Sequence, residues 1–153
     1  RRIAAMTRQI ADFAAQGSED AEPVEVAGMA RAVCDFMRFD PRFRSTRMEL
    51  RLGDHLPVLV VVPGHLREVL MNLMLLSIAE GAALGPAQIA VEAAVRGRNL
   101  VLTVSAGSPP PEGARLEHTR RLVESMGGQL SVSALDVRAC VVVLPAHYTD
   151  GSA

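Results

Sequence analysis

The sequence predicts an α/β (α+β) two-layer sandwich, in which a mixed and mostly antiparallel sheet carries helices on one face. Segments with apolar residues at every third or fourth position alternate along the chain with pairs of short Val- and Leu-rich segments. Gly and Pro residues separate these segments and mark turns. The length of 153 residues, with 49% apolar and 22% charged residues, suits one domain around one core.

The composition excludes several classes of function. The net charge is -1, so no overall electrostatic field favours nucleic acid or an anionic membrane. Aromatic residues make up 3% and Trp is absent, which leaves few side chains on which bases could stack. No apolar run reaches the roughly 20 residues that span a bilayer, and no signal peptide is recognisable. We expect a cytoplasmic protein without a nucleic-acid partner, attached to a membrane only if upstream domains provide the attachment.

The cysteines and histidines do not form a recognisable metal site. Cys34 and Cys140 make no CxxC pair, and each lies in an apolar run, which predicts small buried side chains in a reducing compartment. The four histidines lack the spacing of metal ligands. His118 lies among charged residues and is predicted to be solvated.

Residues 1–16 are predicted to form an amphipathic helix that resembles part of a dimerisation hairpin. Apolar residues recur every three or four positions, at Ile3, Met6, Ile10 and Phe13. A short helix with one apolar stripe is marginal alone, so we expect it to pack on the domain body or on a second copy of itself. The chain begins inside this helical pattern, which suggests a piece of a longer protein.

After this helix we expect a polar linker at 17–23, the sandwich domain at 24–146 and a polar tail at 147–153. The predicted order is helix, helix, strand, strand, helix, strand, strand, helix, strand, strand. From the second helix on, the predicted bounds are Val24–Phe39, Met48–Leu52, Val58–Val62, Leu66–Ala83, Gln88–Arg96, Asn99–Ser105, Gly113–Met126, Gln129–Ala134 and Arg138–Leu144. Consecutive strands are expected to form antiparallel pairs, and Gly127-Gly128 is expected to end the last helix in a left-handed conformation.

Residues 65–79, HLREVLMNLMLLSIA, match the helix pattern VL-x-NLL-x-NA. Together with three further segments, they make residues 24–145 resemble the ATP-binding domain shared by histidine kinases, DNA gyrase, a heat-shock chaperone family and the mismatch-repair ATPases. In histidine kinases the second asparagine of this helix ligates Mg²⁺. Here Asn72 matches the first asparagine, and Leu76 stands at the second, where an aliphatic side chain offers no oxygen ligand.

The second segment, LVLTVSAGSP at 100–109, resembles a strand followed by the family's Asp-x-Gly-x-Gly turn. The resemblance places Ala106 where the Asp would accept a hydrogen bond from the adenine amino group. Gly107 keeps the first glycine, and Pro109 stands where the second would be.

The third segment, GARLEHTRRLVESMGG at 113–128, aligns without gaps to GLGLAI-x-x-x-LVE-x-x-GG. Gly113 keeps the first glycine, but Arg115 replaces a glycine whose bare backbone would let phosphate approach the helix N-terminus. The fourth segment is the final hairpin, which ends in Leu-Pro as the family does. Where histidine kinases have a flexible lid, residues 109–112 read PPPE, which is stiff and extended.

The resemblance therefore implies a degenerate nucleotide site without catalytic residues, metal or cofactor. Three positions keep the family residue, namely Asn72, Gly107 and Gly113, and three have lost it, namely Leu76, Ala106 and Arg115. The leading hypothesis is a degenerate catalytic domain of a two-component sensor histidine kinase, acting as a pseudokinase or phosphotransferase scaffold. Its expected partner is the receiver domain of a response regulator, and the N-terminal helix is expected to make it a homodimer.

Two alternatives remain open at this stage. One is a divergent but active histidine kinase that binds ATP and Mg²⁺, with Glu68 or Glu80 as the substitute metal ligand. The other is an anti-sigma-type partner-switching module, against which the helix at 1–16 argues. The exposure of Leu75 and Leu76 is also left open. These side chains are expected either to be buried or to form an exposed apolar groove for a partner.

Overall fold

The computed structural model describes residues 20–78, 85–106, 113–133 and 139–146. The predicted N-terminal helix at 1–16 and the predicted tail at 147–153 lie outside the described residues.

Within the described ranges the chain forms three helices and seven strands. The helices are α1 (Val26–Met37), α2 (Pro63–Leu75) and α3 (Ala114–Ser125), and a single 3-10 turn covers Pro41–Phe43. The strands are β1 (Glu22–Glu25), β2 (Arg47–Leu52), β3 (Val58–Val61), β4 (Gln88–Arg96), β5 (Asn99–Ser105), β6 (Gln129–Ser133) and β7 (Ala139–Pro145). From the second predicted helix on, the order matches the prediction except for the added strand β1.

Five of the described strands form one sheet in the order β2-β4-β5-β7-β6. Strands β4, β5, β7 and β6 pair antiparallel in succession, and β2 lies parallel to β4. The helices cover one face of this sheet. The prediction of a two-layer sandwich with a mixed, mostly antiparallel sheet is confirmed. The β4–β5 hairpin has the predicted bounds, and Gly97 in its turn adopts a φ of 61°.

The predicted helix at Val24–Phe39 begins too early. Residues Glu22–Glu25 form β1, which pairs antiparallel with β3 and places Val24 opposite Leu59. Val24 and Leu59 are both buried, whereas the residues on either side of Val24 are exposed. A strand of four residues gives too short an alternation to recognise in the sequence, and it takes the last two residues of the predicted linker at 17–23.

The expectation that consecutive strands form antiparallel pairs is wrong for β2 and β3. The two strands belong to different sheets, since β2 pairs parallel with β4 and β3 pairs with β1. The hydrogen bond from Gly53 N–H to the carbonyl oxygen of Ala93, 2.9 Å long, continues the contact of β2 with β4 beyond the end of β2. Short connections favour hairpins. Here, however, β2 and β3 each pair with a strand that is not their neighbour in the sequence.

The core lies between the helices and the inward face of the five-stranded sheet. Its fully buried side chains come from both layers: Leu66, Leu70, Leu73, Ile89, Leu100, Leu102, Val142 and Leu144. Helix α3 ends as predicted, because Gly127 adopts a left-handed φ of 81°. A Cβ atom added at Gly128 would lie 2.3 Å from the carbonyl oxygen of Val143, so the turn from α3 into β6 requires a glycine.

Candidate functional site

Helix α2, which carries the asparagine motif, contacts α1 on one side and α3 on the other. It begins at Pro63 rather than at the predicted Leu66, because proline is well suited to the first turn of a helix. One face is buried, with Leu66, Leu70 and Leu73 at 0, 2 and 1% exposure. The helix thereby holds two further faces in fixed orientations, one toward each neighbouring helix.

The face toward α3 carries Glu68, Asn72 and Leu76, which are spaced four residues apart and so lie along one side of the helix. The Oε2 atom of Glu68 lies 2.5 Å from Nε2 of His118 on α3, which fixes the direction of this face. Asn72 is half-buried, and Leu76 is 5% exposed. The prediction that His118 is solvated is incomplete, since its side chain is 55% exposed but contacts Glu68.

Ala106 and the start of α3 supply the other positions implied by the resemblance. Ala106 directly follows β5 and packs against the core. Gly113 precedes α3 with a φ of 158°, where glycine is favoured, and its carbonyl accepts the N–H of Glu117 at 3.1 Å. Arg115 is exposed in the first turn, where the helix dipole disfavours a cation. Gly107 lies outside the described residues.

The donor chemistry of these positions does not fit a nucleotide with Mg²⁺. The amide oxygen of Asn72 is of the kind that ligates Mg²⁺, but Leu76 and Ala106 have no polar side-chain atom. Within the described ranges, no group of three or more His, Cys, Asp and Glu side chains could hold a metal ion. Glu68, the substitute ligand of the alternative hypothesis, contacts His118, and Glu80 lies outside the described residues.

The two cysteines are buried thiols, as predicted. Cys34 is 1% exposed and Cys140 is 4% exposed. Burial raises the pKa of both thiols to about 11. At neutral pH they are protonated and shielded, so neither is a nucleophile or a metal ligand.

An apolar groove lies on the opposite side of α2, between the C-terminal ends of α1 and α2. We call it the α1–α2 groove. It has a cavity volume of about 310 Å³, and the side chains that define it are Phe36, Phe39, Asp40, Arg42, Met71 and Leu75. Of the two outcomes left open for Leu75 and Leu76, burial in the core holds for Leu76, whereas Leu75 lines this groove.

The sequence does contain a signal for this groove. Three of the four phenylalanines of the chain fall within residues 36–43, although aromatic residues are rare elsewhere. Phe43 is buried at 2% exposure and anchors the segment, whereas Phe39 remains 60% exposed.

The polar rim of the groove is ordered by an internal ion pair. An Asp40 carboxylate oxygen accepts the backbone N–H of Arg42 at 2.9 Å, and the other oxygen lies 2.8 Å from Nη2 of the same arginine. Hydrogen bonding by the Arg42 guanidinium lowers the pKa of Asp40, so this carboxylate is ionised at neutral pH. The local structure therefore presents one guanidinium and one carboxylate beside the apolar floor.

Comparison with known proteins shows the fold. No protein-family model matches the chain, and no curated protein matches it. Full-length ShkA, solved in complex with AMPPNP, matches with a TM-score of 0.68 at 18% identity, over 99% of this chain and 37% of ShkA. The chain thus spans little more than a third of that protein.

Two further histidine kinases match over most of their solved chains. The catalytic domain of ThkA, in a nucleotide-free form, has a TM-score of 0.70 at 16% identity, over 83% of this chain and 97% of that one. The histidine kinase AdeS of Acinetobacter baumannii has a TM-score of 0.68 at 14% identity, over 95% and 78%. The chain has the fold of a histidine-kinase catalytic domain, as the sequence motifs predicted. No helix in the described part of the chain is long and apolar enough to cross a membrane.

Proposed function

We propose that this chain is the degenerate catalytic-type domain of a two-component signalling protein, in which the kinase fold positions other proteins and does not use ATP. The observation that carries this proposal is Leu76. It stands where the resemblance places the Mg²⁺ ligand. It lies on the same face of α2 as Glu68, toward α3, and it is 5% exposed. A buried aliphatic side chain offers no oxygen to a cation and occupies space that a hydrated ion would need.

Two other positions support the same conclusion. The methyl group of Ala106 cannot accept a hydrogen bond from an adenine amino group, and Arg115 puts a long side chain where the family has a bare backbone. A lost hydrogen bond to a charged or well-buried partner costs ~1.5–3 kcal/mol, or roughly ten- to a hundredfold in affinity. Two or three such losses together would move a micromolar site beyond physiological nucleotide concentrations.

The proposed partner is the receiver domain of a response regulator, which the domain would hold beside a phosphohistidine on a separate helix. Positioning alone supplies much of the catalysis of phosphoryl transfer. A kinase fold that has lost its nucleotide chemistry can therefore still serve a phosphorelay. In this proposal the protein acts in the cytoplasm, as a homodimer formed through residues 1–16, without ATP or Mg²⁺.

The first prediction concerns nucleotide binding and is tested by a thermal-shift titration with ATP and Mg²⁺, confirmed by calorimetry. We expect no saturable change in Tm, because the oxygen donors at the positions of Leu76 and Ala106 are missing. A catalytic domain that binds nucleotide serves as the positive control. Ligand at about a hundred times its Kd adds ~2.7 kcal/mol of stability, so binding would be plainly visible. A saturable rise in Tm with micromolar affinity would overturn the proposal.

One observation favours a second candidate function, that of a divergent but active histidine kinase. Glu68 lies one turn from Asn72 on the face toward α3, where its carboxylate could serve as a substitute metal ligand. ATP-dependent autophosphorylation of the full-length protein that is lost in Glu68→Gln would favour this candidate. The absence of any labelled product would eliminate it.

A further inference from the structure

We propose that the α1–α2 groove binds an acidic peptide segment of a protein partner, and that this segment inserts one bulky apolar side chain between Phe39 and Leu75. The inference goes beyond the proposed function and does not depend on it. The groove lies on the α1 side of α2, whereas Asn72 and Leu76 lie on the side toward α3. Loss or retention of nucleotide binding would leave the groove unchanged.

The apolar part of the groove has the features of a binding hot spot. Phe39 is 60% exposed, the most exposed large apolar side chain of the described residues. Met71 and Leu75 lie one helical turn apart on α2 and line the same cavity. A cavity of about 310 Å³ has room for a leucine or phenylalanine side chain, and Met adapts its shape to what it contacts. Aromatic residues around such pockets carry much of the energy of protein interfaces.

The surface beside the groove is basic. Residues 35–47, DFMRFDPRFRSTR, contain four arginines and two aspartates, hence a net charge of +2, in a chain whose net charge is -1. Within the part of the chain that the structure describes, Arg38 pairs with Asp35 and Arg42 with Asp40, and no ion pair involves Arg44 or Arg47. Guanidinium groups bind carboxylates in a bidentate geometry, so this charge pattern selects an acidic partner.

The segment that carries these arginines is held in place before any partner binds. The carbonyl oxygen of Arg42 accepts the N–H of Gly85 at 2.6 Å, and the hydroxyl of Thr46 donates to the carbonyl of Pro86 at 2.6 Å. Phe43, at 2% exposure, fixes the segment to the core. A surface that is already ordered loses little conformational entropy on binding, which favours affinity.

Charge and shape decide between the possible occupants. The chain's own N-terminal segment is a poor occupant, because residues 1–16 contain three arginines and one aspartate, which the basic surface would repel. A flat anionic bilayer could contact the arginines and Phe39, but it could not reach Leu75 at the floor of a concave cavity. A peptide with acidic residues around an apolar anchor satisfies both parts of the surface.

The test is a selection of short random peptides on the full chain, followed by fluorescence anisotropy with the enriched peptide after labelling. We expect enriched peptides to share one Leu, Met or Phe flanked by Asp and Glu. Phe39→Ala and Arg44→Glu should each weaken binding about tenfold or more, and added salt should weaken it further. Both side chains are exposed, so the variants keep the fold, which circular dichroism and Tm confirm.

Matched control variants lie away from the groove. Val60→Ala changes another exposed apolar side chain, at 45% exposure on β3, and Arg98→Glu changes an exposed arginine in the β4–β5 turn. Both should bind the peptide as the unchanged chain does. The proposal is overturned if no such consensus is enriched, if the groove variants bind as well as the controls, or if a charge-reversed peptide binds equally. It is also overturned if anionic phospholipid vesicles bind through Phe39 and the peptide does not.

Discussion

At the scale of single residues, Gly128 is a position where the fold has no room for a side chain. A Cβ atom there would lie 2.3 Å from the Val143 carbonyl oxygen and 2.6 Å from a methyl carbon of Leu144. Both neighbours belong to β7, which pairs with β5 on one side and β6 on the other, so neither can move without disturbing strand pairing. We expect Gly128→Ala to lower the free energy of unfolding by about 1–3 kcal/mol or more, measured by urea denaturation.

Gly28 is the matched control for this substitution. It lies exposed in the first turns of α1, and a Cβ atom there would meet nothing within 4 Å. Because alanine favours the helix more than glycine does, Gly28→Ala should stabilise the protein by up to about 1 kcal/mol. Equal effects of the two substitutions would contradict the close contact at Gly128.

The buried thiols predict a pH dependence at alkaline pH. Burial raises the pKa of Cys34 and of Cys140 from 9.0 to about 11. Below pH 9 the thiols are protonated in both the folded and the unfolded chain, so their burial contributes fully to the stability of the fold. Between about pH 9 and 11 the unfolded chain ionises first, so stability falls by about 1.4 kcal/mol per pH unit and thiol. Urea denaturation across this range should therefore show a shallower decline in Cys34→Ala, and parallel curves would refute the assignment.

At the scale of helices and strands, the Glu68–His118 contact is a polar link between α2 and α3. The side chains are 46% and 55% exposed, so solvent screens the interaction. Exposed pairs contribute ~0.2–1 kcal/mol, and we expect a coupling in that range from a double-mutant cycle of Glu68→Gln and His118→Gln. The Asp35–Arg38 pair at the C-terminal end of α1 gives a reference of the same kind. A coupling of several kcal/mol would mean that the pair is shielded far more than its exposure indicates.

The same scale shows which elements a sequence can predict. The β4–β5 hairpin has the predicted bounds because alternating residues and one turn glycine, Gly97, specify it locally. Strand β1 is not predictable in this way, since four residues with a proline give little alternation. The pairing of β2 with β4 could not be predicted from neighbouring residues, because it is decided by partners about 40 positions apart.

Some features of the candidate site could likewise be assigned from the sequence, and others could not. The motif positions Asn72, Leu76, Ala106 and Arg115 could be assigned from the sequence, since a motif fixes residue types at known spacings, and this assignment stays a prediction. Burial of Leu76 and the orientation of Leu75 toward α1 could not, because helical periodicity places the two only 100° apart. Packing against α1 and α3 decides which of them contacts solvent.

At the scale of the whole molecule, oligomeric state is the property that separates the two-component hypotheses from a partner-switching module. The buried core of the described residues runs from Val24 to Leu144. A short helix with the apolar stripe predicted at 1–16 is marginal alone, and a second copy of the same helix would bury that stripe. We expect light scattering to show a dimer for the full chain and a monomer for a chain that begins at Gly17.

The truncated chain keeps β1 and its pairing with β3, so the deletion should leave the domain folded. Its Tm and circular dichroism then serve as controls, and its Tm should no longer depend on protein concentration. A control variant, Ile10→Asp with Phe13→Asp, puts charges on the predicted stripe without shortening the chain and should also give a monomer. If the truncated chain remains dimeric, the interface belongs to the domain body, and the partner-switching alternative regains support.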